Sequence, residues 1–131
     1  MGDENKPLYI LSGPVVHGQG NGHKVNMPTA NLALAPGQQL PPFGVYAARV
    51  FIGEKDYPGV TNVGMRPSLG VEDIPTVETF ILDFQGDLYE RKITLHLLAF
   101  LRPTRKMDSL QAVQQQVMQD ADSARKIFEK Q

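Results

Sequence analysis

A threonine and an asparagine two residues apart, in Pro28-Thr29-Ala30-Asn31, project a hydroxyl and an amide carbonyl to the same side of an extended chain. Both are hard oxygen donors. Mg²⁺ takes a few such ligands from protein and fills the rest of its shell with water and phosphate. The tetrapeptide also reads as a turn in which Asn31 satisfies its own backbone, the commoner role for Asn near Pro. Just upstream runs Gly18-Gln19-Gly20-Asn21-Gly22-His23-Lys24. Alternating glycines let backbone N–H groups converge on one concavity that holds an anion, and Lys24 adds a point charge suited to phosphate. The spacing matches neither the P-loop nor the dinucleotide fingerprint. Taken alone, the loop reads as a flexible hairpin before it reads as a phosphate site.

Glu78 is the third candidate. In Val77-Glu78-Thr79-Phe80-Ile81-Leu82-Asp83-Phe84, strand alternation groups it with Phe80, Leu82 and Phe84. A carboxylate at the start of an aromatic, apolar face can look into a pocket mouth, where partial burial suits it to accept a proton. On pattern alone a solvated rim carboxylate is an equally good reading. Leu101-Arg102-Pro103-Thr104-Arg105-Lys106 is either a basic flap over a ligand or a solvated loop, the second being commoner. His17, His23 and His96 show no metal-ligand spacing, and His96, alternating with Leu95 and Leu97, is expected to face outward.

The elements that must position these residues are short strands. Leu8 to Ser12, Pro14 to His17, Val45 to Ile52, Tyr57 to Val63, Val77 to Phe84 and Lys92 to Leu101 read as strands. Gly53 to Asp56 reads as a hairpin turn, and Met65 to Thr76 as a longer loop. The 12 glycines and 10 prolines fall mostly between apolar runs, which predicts an all-β body closed as a barrel or stacked as a sandwich. The period then changes. Leu110, Val113, Val117, Ala121, Ala124 and Ile127 mark one face of an amphipathic helix over 109–129, with Asp108 as the expected cap and Gln111 reaching back to it. Arg125, Lys126 and Lys130 suit the dipole at its end.

The chain has 131 residues, enough for one domain and one core, with residues 1–6 expected to be a loose tail. It has no cysteine, which excludes disulfides and thiolate metal sites. It shows neither a signal-peptide pattern nor an apolar run of membrane-spanning length, so a cytoplasmic protein is expected, without a membrane partner. With 13 basic and 14 acidic residues the formal charge is −1, and no global basic field gathers nucleic acid.

Taken in order, these segments resemble the riboflavin kinase family, including the kinase half of bacterial bifunctional riboflavin kinase/FAD synthetases. The resemblance runs from about Ile10 to about Ile127. It is carried by Gly13-Pro14-Val15-Val16-His17-Gly18, Pro28-Thr29-Ala30-Asn31, Gly44-Val45-Tyr46, Asn62-Val63-Gly64-Met65-Arg66-Pro67-Ser68, the Glu78 to Phe84 stretch, Phe100-Leu101-Arg102-Pro103 and Asp108-Ser109-Leu110. The most diagnostic part is Pro-Thr-Ala-Asn after a glycine loop. The chain departs from the family pattern at Asn26-Met27, where Gly-Phe is usual, at Glu90 for a glycine, and at Lys106-Met107 for Lys-Phe. Asn tolerates the left-handed backbone that glycine would adopt, and Met is a flexible apolar substitute for Phe.

The resemblance implies a six-stranded Greek-key β-barrel with a C-terminal helix. It implies transfer of the ATP γ-phosphate to the riboflavin 5′-hydroxyl to give FMN, with Mg²⁺ as cofactor. On matching positions, Gly18, Gly20, Gly22, His23, Lys24, Pro28, Thr29 and Asn31 would hold ATP, and Thr29 and Asn31 the metal. Glu78 would be the general base. Asn62, Arg102, Met107 and Leu110 would meet the flavin, with the Asn62 to Ser68 loop beside the same pocket. A monomer is expected, fused in some natural settings to an FAD synthetase domain, and these residues alone are not expected to make FAD. Two rivals stand beside this reading. A barrel that binds flavin or nucleotide without transfer would have no need of Glu78, Thr29 and Asn31 together. An oligonucleotide-binding barrel would want a basic groove with exposed aromatics.

Overall fold

The computed structural model describes residues 6–16, 29–34, 38–68, 71–84, 91–104 and 109–130. Within them six strands, β1 (Tyr9–Val16), β2 (Thr29–Leu32), β3 (Gly44–Ile52), β4 (Lys55–Ser68), β5 (Val71–Ile81) and β6 (Lys92–Arg102), precede one helix, α1 (Leu110–Glu129). The strands close into a barrel in the order β1-β2-β5-β4-β3-β6, with every described pair antiparallel. β3, β4 and β5 form a meander, and β6 returns across it to lie beside β3, which is the Greek-key arrangement. The expected fold class therefore holds.

Alternation explains the walls. In β6, Ile93, Leu95 and Leu97 point inward and are buried, while Thr94, His96 and Leu98 point outward. Together with Leu11, Val15, Leu32, Tyr46, Val50, Val63, Val77 and Ile81 they fill the barrel. β3 breaks the pattern, being buried on both faces from Gly44 to Ala48 before alternation resumes at Arg49. The cause is α1. Its Ala121 and Ala124 pack on Val45, Ala47, Val60 and Leu82 of the outer wall. Three alanines at that contact leave room for the helix axis to approach closely. Past its edge, Arg49 ion-pairs with Asp56, lies 4.2 Å from the centroid of the Phe128 ring and donates to the Phe128 carbonyl at 3.3 Å. That arginine fastens the C-terminal end of α1 to the barrel.

Several readings of the sequence need correction. β1 is one strand running through Gly13-Pro14, rather than two. Met65 to Thr76 is mostly strand: β4 runs to Ser68 and β5 starts at Val71, with Met65 paired to Pro75. The two prolines that suggested a loop are accommodated. Pro67 falls at a register shift between Arg66 and Ser68, and the described pairing of β2 to β5 stops at Glu78, before Pro75. Consequently Asn62 to Ser68 is strand and not loop. The helix cap is Ser109, whose extended backbone lets its hydroxyl accept from the Ala112 N–H at 3.1 Å. The third helical position is then Ala112, and Gln111 has no capping-box role. Finally, Asp83 adopts a positive φ of 62° and turns the chain, so Phe84 packs with Tyr57 against the interior cluster instead of following Phe80 and Leu82. The turn from β3 to β4 is tighter than expected, using Gly53 and Glu54 between paired Ile52 and Lys55. Gly53 supplies the positive φ that a two-residue hairpin demands.

His96 faces outward as expected, half-buried, with its ring 4.6 Å from Phe51 and its backbone opposite Arg49. Burial, then the Arg49 charge, hold its pKa below the ordinary histidine value. The folded chain thus binds fewer protons than the unfolded chain between that lowered pKa and about 6.5. This contribution to stability is complete above about 6.5, falls as pH drops through that value, and levels off below the folded pKa. Urea midpoints between about pH 5 and 7.5 should show this slope, and His96→Gln should flatten it. An unchanged slope in the variant would assign the effect to other groups.

Candidate active site

Cross-strand register, more than any local motif, assembles the candidate site. Asn31 of β2 pairs with Glu78 of β5, Glu78 with Asn62 of β4, Asn62 with Val45 of β3, and Val45 with Arg102 of β6. Directly opposed residues share a face. These five therefore form one row across the outer wall, on the side that α1 covers. The next outward row is Thr29, Phe80, Val60, Ala47 and Ala99. Thr61 and Thr79, one residue inside Asn62 and Glu78, pin the register from within, their buried hydroxyls 2.8 Å apart. Two register shifts in the β3–β6 pairing bring Arg102 opposite Val45.

Between the wall and the first half of α1 lies a cavity of about 370 Å³. Val45, Val60, Phe80, Val113 and Val117 give it apolar sides, and Asn62, Glu78, Arg102, Gln116 and Asp120 bring polar groups to it. That volume and mixture suit one small organic molecule held by apolar walls and oriented by a few polar groups. A second hollow, of about 320 Å³, is lined by α1 residues between Met118 and Arg125 and gathers none of the row.

In the first cavity, Arg102, Gln116 and Asp120 are bonded to one another. Arg102 donates from Nε to both oxygens of Asp120 at 3.2 Å and from the Nη2 nitrogen to Oδ2 at 2.8 Å. Gln116 Nε2 donates to Asp120 Oδ1 at 3.1 Å. Asp120 is 5% exposed, and these bonds satisfy both of its carboxylate oxygens. Arg102 is thus a wall residue locked to the helix. Asn62 Oδ1 is buried and has no hydrogen-bond partner among the described residues.

Of the residues singled out in the sequence, Glu78, Asn62 and Arg102 converge on this cavity. Thr29 and Asn31 continue the same two rows on β2, adjoining the cavity beyond Glu78. Both are half-buried and on the outer face, with two oxygen donors two residues apart, which fits a hard cation that shares its remaining positions with phosphate and water. Leu110 opens α1, and its side chain lies outside the described set. Gly18, Gly20, Gly22, His23, Lys24, Pro28 and Met107 lie outside the described residues, as do Asn26, Met27, Glu90 and Asp108. Sequence reading missed Asp120 and Gln116. The available signal was a carboxylate within the stripe Val117, Ala121, Ala124, the same anomaly that singled out Glu78 on its strand.

The family model described as riboflavin kinase matches residues 6–128. A bifunctional riboflavin kinase/FMN adenylyltransferase of Pseudomonas fluorescens is 35% identical over 117 residues, covering 89% of this chain and 37% of that protein. The chain therefore spans well under half of that relative. A crystal structure of a riboflavin kinase from Trypanosoma brucei superposes with a TM-score of 0.61 at 25% identity, covering 92% of this chain and 80% of the other. A structure described as a macrolide-efflux protein from Streptococcus pneumoniae gives a TM-score of 0.81 at 31% identity, over 91% of this chain and 38% of that one.

Proposed function

The chain belongs to the riboflavin kinase family, and on that premise we propose that it transfers the γ-phosphate of ATP to the 5′-hydroxyl of riboflavin, with the flavin in the cavity between the barrel wall and α1. The observation that carries the proposal is the row Asn31–Glu78–Asn62–Val45–Arg102 with Thr29 in the row beside it, so that a carboxylate lies between a hard-oxygen pair and an apolar-sided cavity of about 370 Å³.

Phosphoryl transfer asks a protein mainly for in-line positioning and charge neutralisation. The nucleophile is the substrate's own hydroxyl. Glu78 accepts its proton as the O5′–P bond forms and the bond from phosphorus to the ADP oxygen breaks. Thr29 and Asn31, next to Glu78 on the same face, would hold Mg²⁺ together with the nucleotide phosphates. Bound there, the ion would offset the charge that accumulates on the phosphoryl oxygens and the leaving ADP. Gly18, Gly20, Gly22, His23, Lys24 and Pro28 are proposed to cradle the ATP phosphates from the sequence alone. Val45, Val60, Val113 and Val117 would sandwich the ring, with Arg102 at its edge; Met107 and Leu110 are proposed to meet the flavin from the sequence alone.

Metal dependence tests the assignment. FMN formation from riboflavin and ATP should stop with a chelator and return with added Mg²⁺. Thr29→Ala should raise the Mg²⁺ needed for half-maximal rate by about tenfold, the cost of one charge-assisted ligand. Chelator-insensitive turnover, or an unchanged Mg²⁺ requirement in the variant, would remove Thr29 from the metal.

A further inference from the structure

Five of the seven large apolar side chains that stand exposed among the described residues gather at one end of the barrel. Leu8, Tyr9 and Ile10 lie at the start of β1, Phe43 just before β3 and Phe100 near the end of β6, each 39–59% exposed. Leu8 and Tyr9 meet β6 at Leu97, and Phe100 pairs with Tyr46 of β3. The rings are fixed in place. Tyr46 is buried, and its hydroxyl donates to the Pro42 carbonyl at 2.7 Å. Tyr9 and Phe100 stand edge-on to it, with centroids 6.1 and 5.3 Å away. Phe100 also lies so close over Gly44 that a Cβ there would fall 2.3 Å from the ring. Side chains ordered before contact lose little freedom on binding.

Charge and size tell what covers this surface. Residues 7–12, 39–48 and 97–101 include no charged side chain. A nucleic-acid strand would want cations beside the aromatics, and a membrane surface would want a basic rim. A second copy of the same neutral patch needs neither and meets no repulsion. An aromatic side chain presents roughly 150–250 Å². At these exposures the five residues leave roughly 400–500 Å² of apolar surface, the size of patch that is often functional. Two copies about a twofold axis would bury about 1,000 Å² with their rims, enough for a specific contact and too little for a permanent one. We infer that this barrel end is a self-association surface, through which two copies of the chain form a weak, isologous dimer in place of the expected monomer. None of the five residues lines the cavity under α1, so the inference stands independently of the proposed function.

Sedimentation equilibrium between about 10 µM and about 2 mM tests it. The average mass should rise from one chain toward two with a Kd of about 10⁻⁴ M, as expected of a small interface. Leu8→Lys combined with Ile10→Lys puts charge on the patch without touching the buried Tyr46. It should raise that Kd by about tenfold or more and leave the melting temperature at the wild-type value. Should that variant melt early, Phe43→Lys, which lies outside the strands, serves in its place. Amide NMR shifts that move with concentration should map to residues 8–10, 43 and 97–100. A one-chain mass at the highest concentration would overturn the inference. So would a dimer that the lysine variants leave intact, or concentration-dependent shifts centred on α1. Shifts at Tyr9 and Phe100 caused by a short oligothymidylate in dilute protein would assign the patch to nucleic acid and likewise overturn it.

Discussion

Glu78→Gln is expected to reduce FMN formation by about 10²–10⁴-fold, the usual contribution of a positioned general base. Riboflavin affinity should stay within about threefold of wild type, because the carboxamide keeps the size and hydrogen-bonding reach of the carboxylate and loses mainly its capacity to take a proton. The expectation comes from place. Glu78 lies across from Asn62 on β4 and Asn31 on β2, on the outer face of β5, where it lines the cavity beside Phe80. A loss confined to kcat, in both steady-state and single-turnover rates, assigns the residue to the chemical step. A variant with near-normal kcat would need another proton acceptor. A variant that no longer binds riboflavin would make Glu78 a binding residue.

Asp120→Ala carries the largest expected effect on stability. It leaves the Arg102 guanidinium, whose side chain is 24% exposed, without its main partner in the wall, and it frees Gln116 Nε2. Breaking a buried ion pair from one side costs roughly 3–5 kcal/mol. The partial exposure of Arg102 places this case toward the lower end. The loss should appear as a lower urea midpoint at unchanged slope. The same change should weaken riboflavin binding, since Arg102 loses its fixed orientation. A double variant separates the two roles. Asp120→Leu with Arg102→Met replaces the pair by apolar groups of similar volume and should recover most of the stability. It should not recover flavin affinity if Arg102 meets the ligand. Recovery of both would reduce the pair to a structural tie between β6 and α1.

Much of this architecture was legible in the chain. The three- and four-residue spacing from Val113 to Ile127 encodes the helix because helical contacts are local. Inward alternation in β6 encodes a barrel wall for the same reason. Glu78 showed itself as a charge on an apolar face. What could not be read is non-local. The row from Asn31 to Arg102 takes one residue from each of five strands, and its order depends on closure, on the bulges in the β3–β6 pairing and on the path of β6 beside β3. Nothing along the chain puts Asn62 next to Glu78, or Arg102 against Asp120. Prolines misled in another way. Pro67 and Pro75 read as loop punctuation, yet they sit at a register shift and at a position beyond the described β2–β5 pairing, where a ladder tolerates them. The alternation from Glu78 onward failed only after Leu82, because the positive φ at Asp83 reverses the side on which Phe84 falls.

Incubating the purified chain with riboflavin, Mg²⁺ and ATP labelled at the γ-phosphate shows whether this barrel moves a phosphoryl group to the flavin. Label should enter FMN at the 5′ position, with one ADP formed for each FMN and a rate that collapses in Glu78→Gln. ATP hydrolysis with no label in flavin, or riboflavin bound tightly and left unphosphorylated, would rule out that transfer.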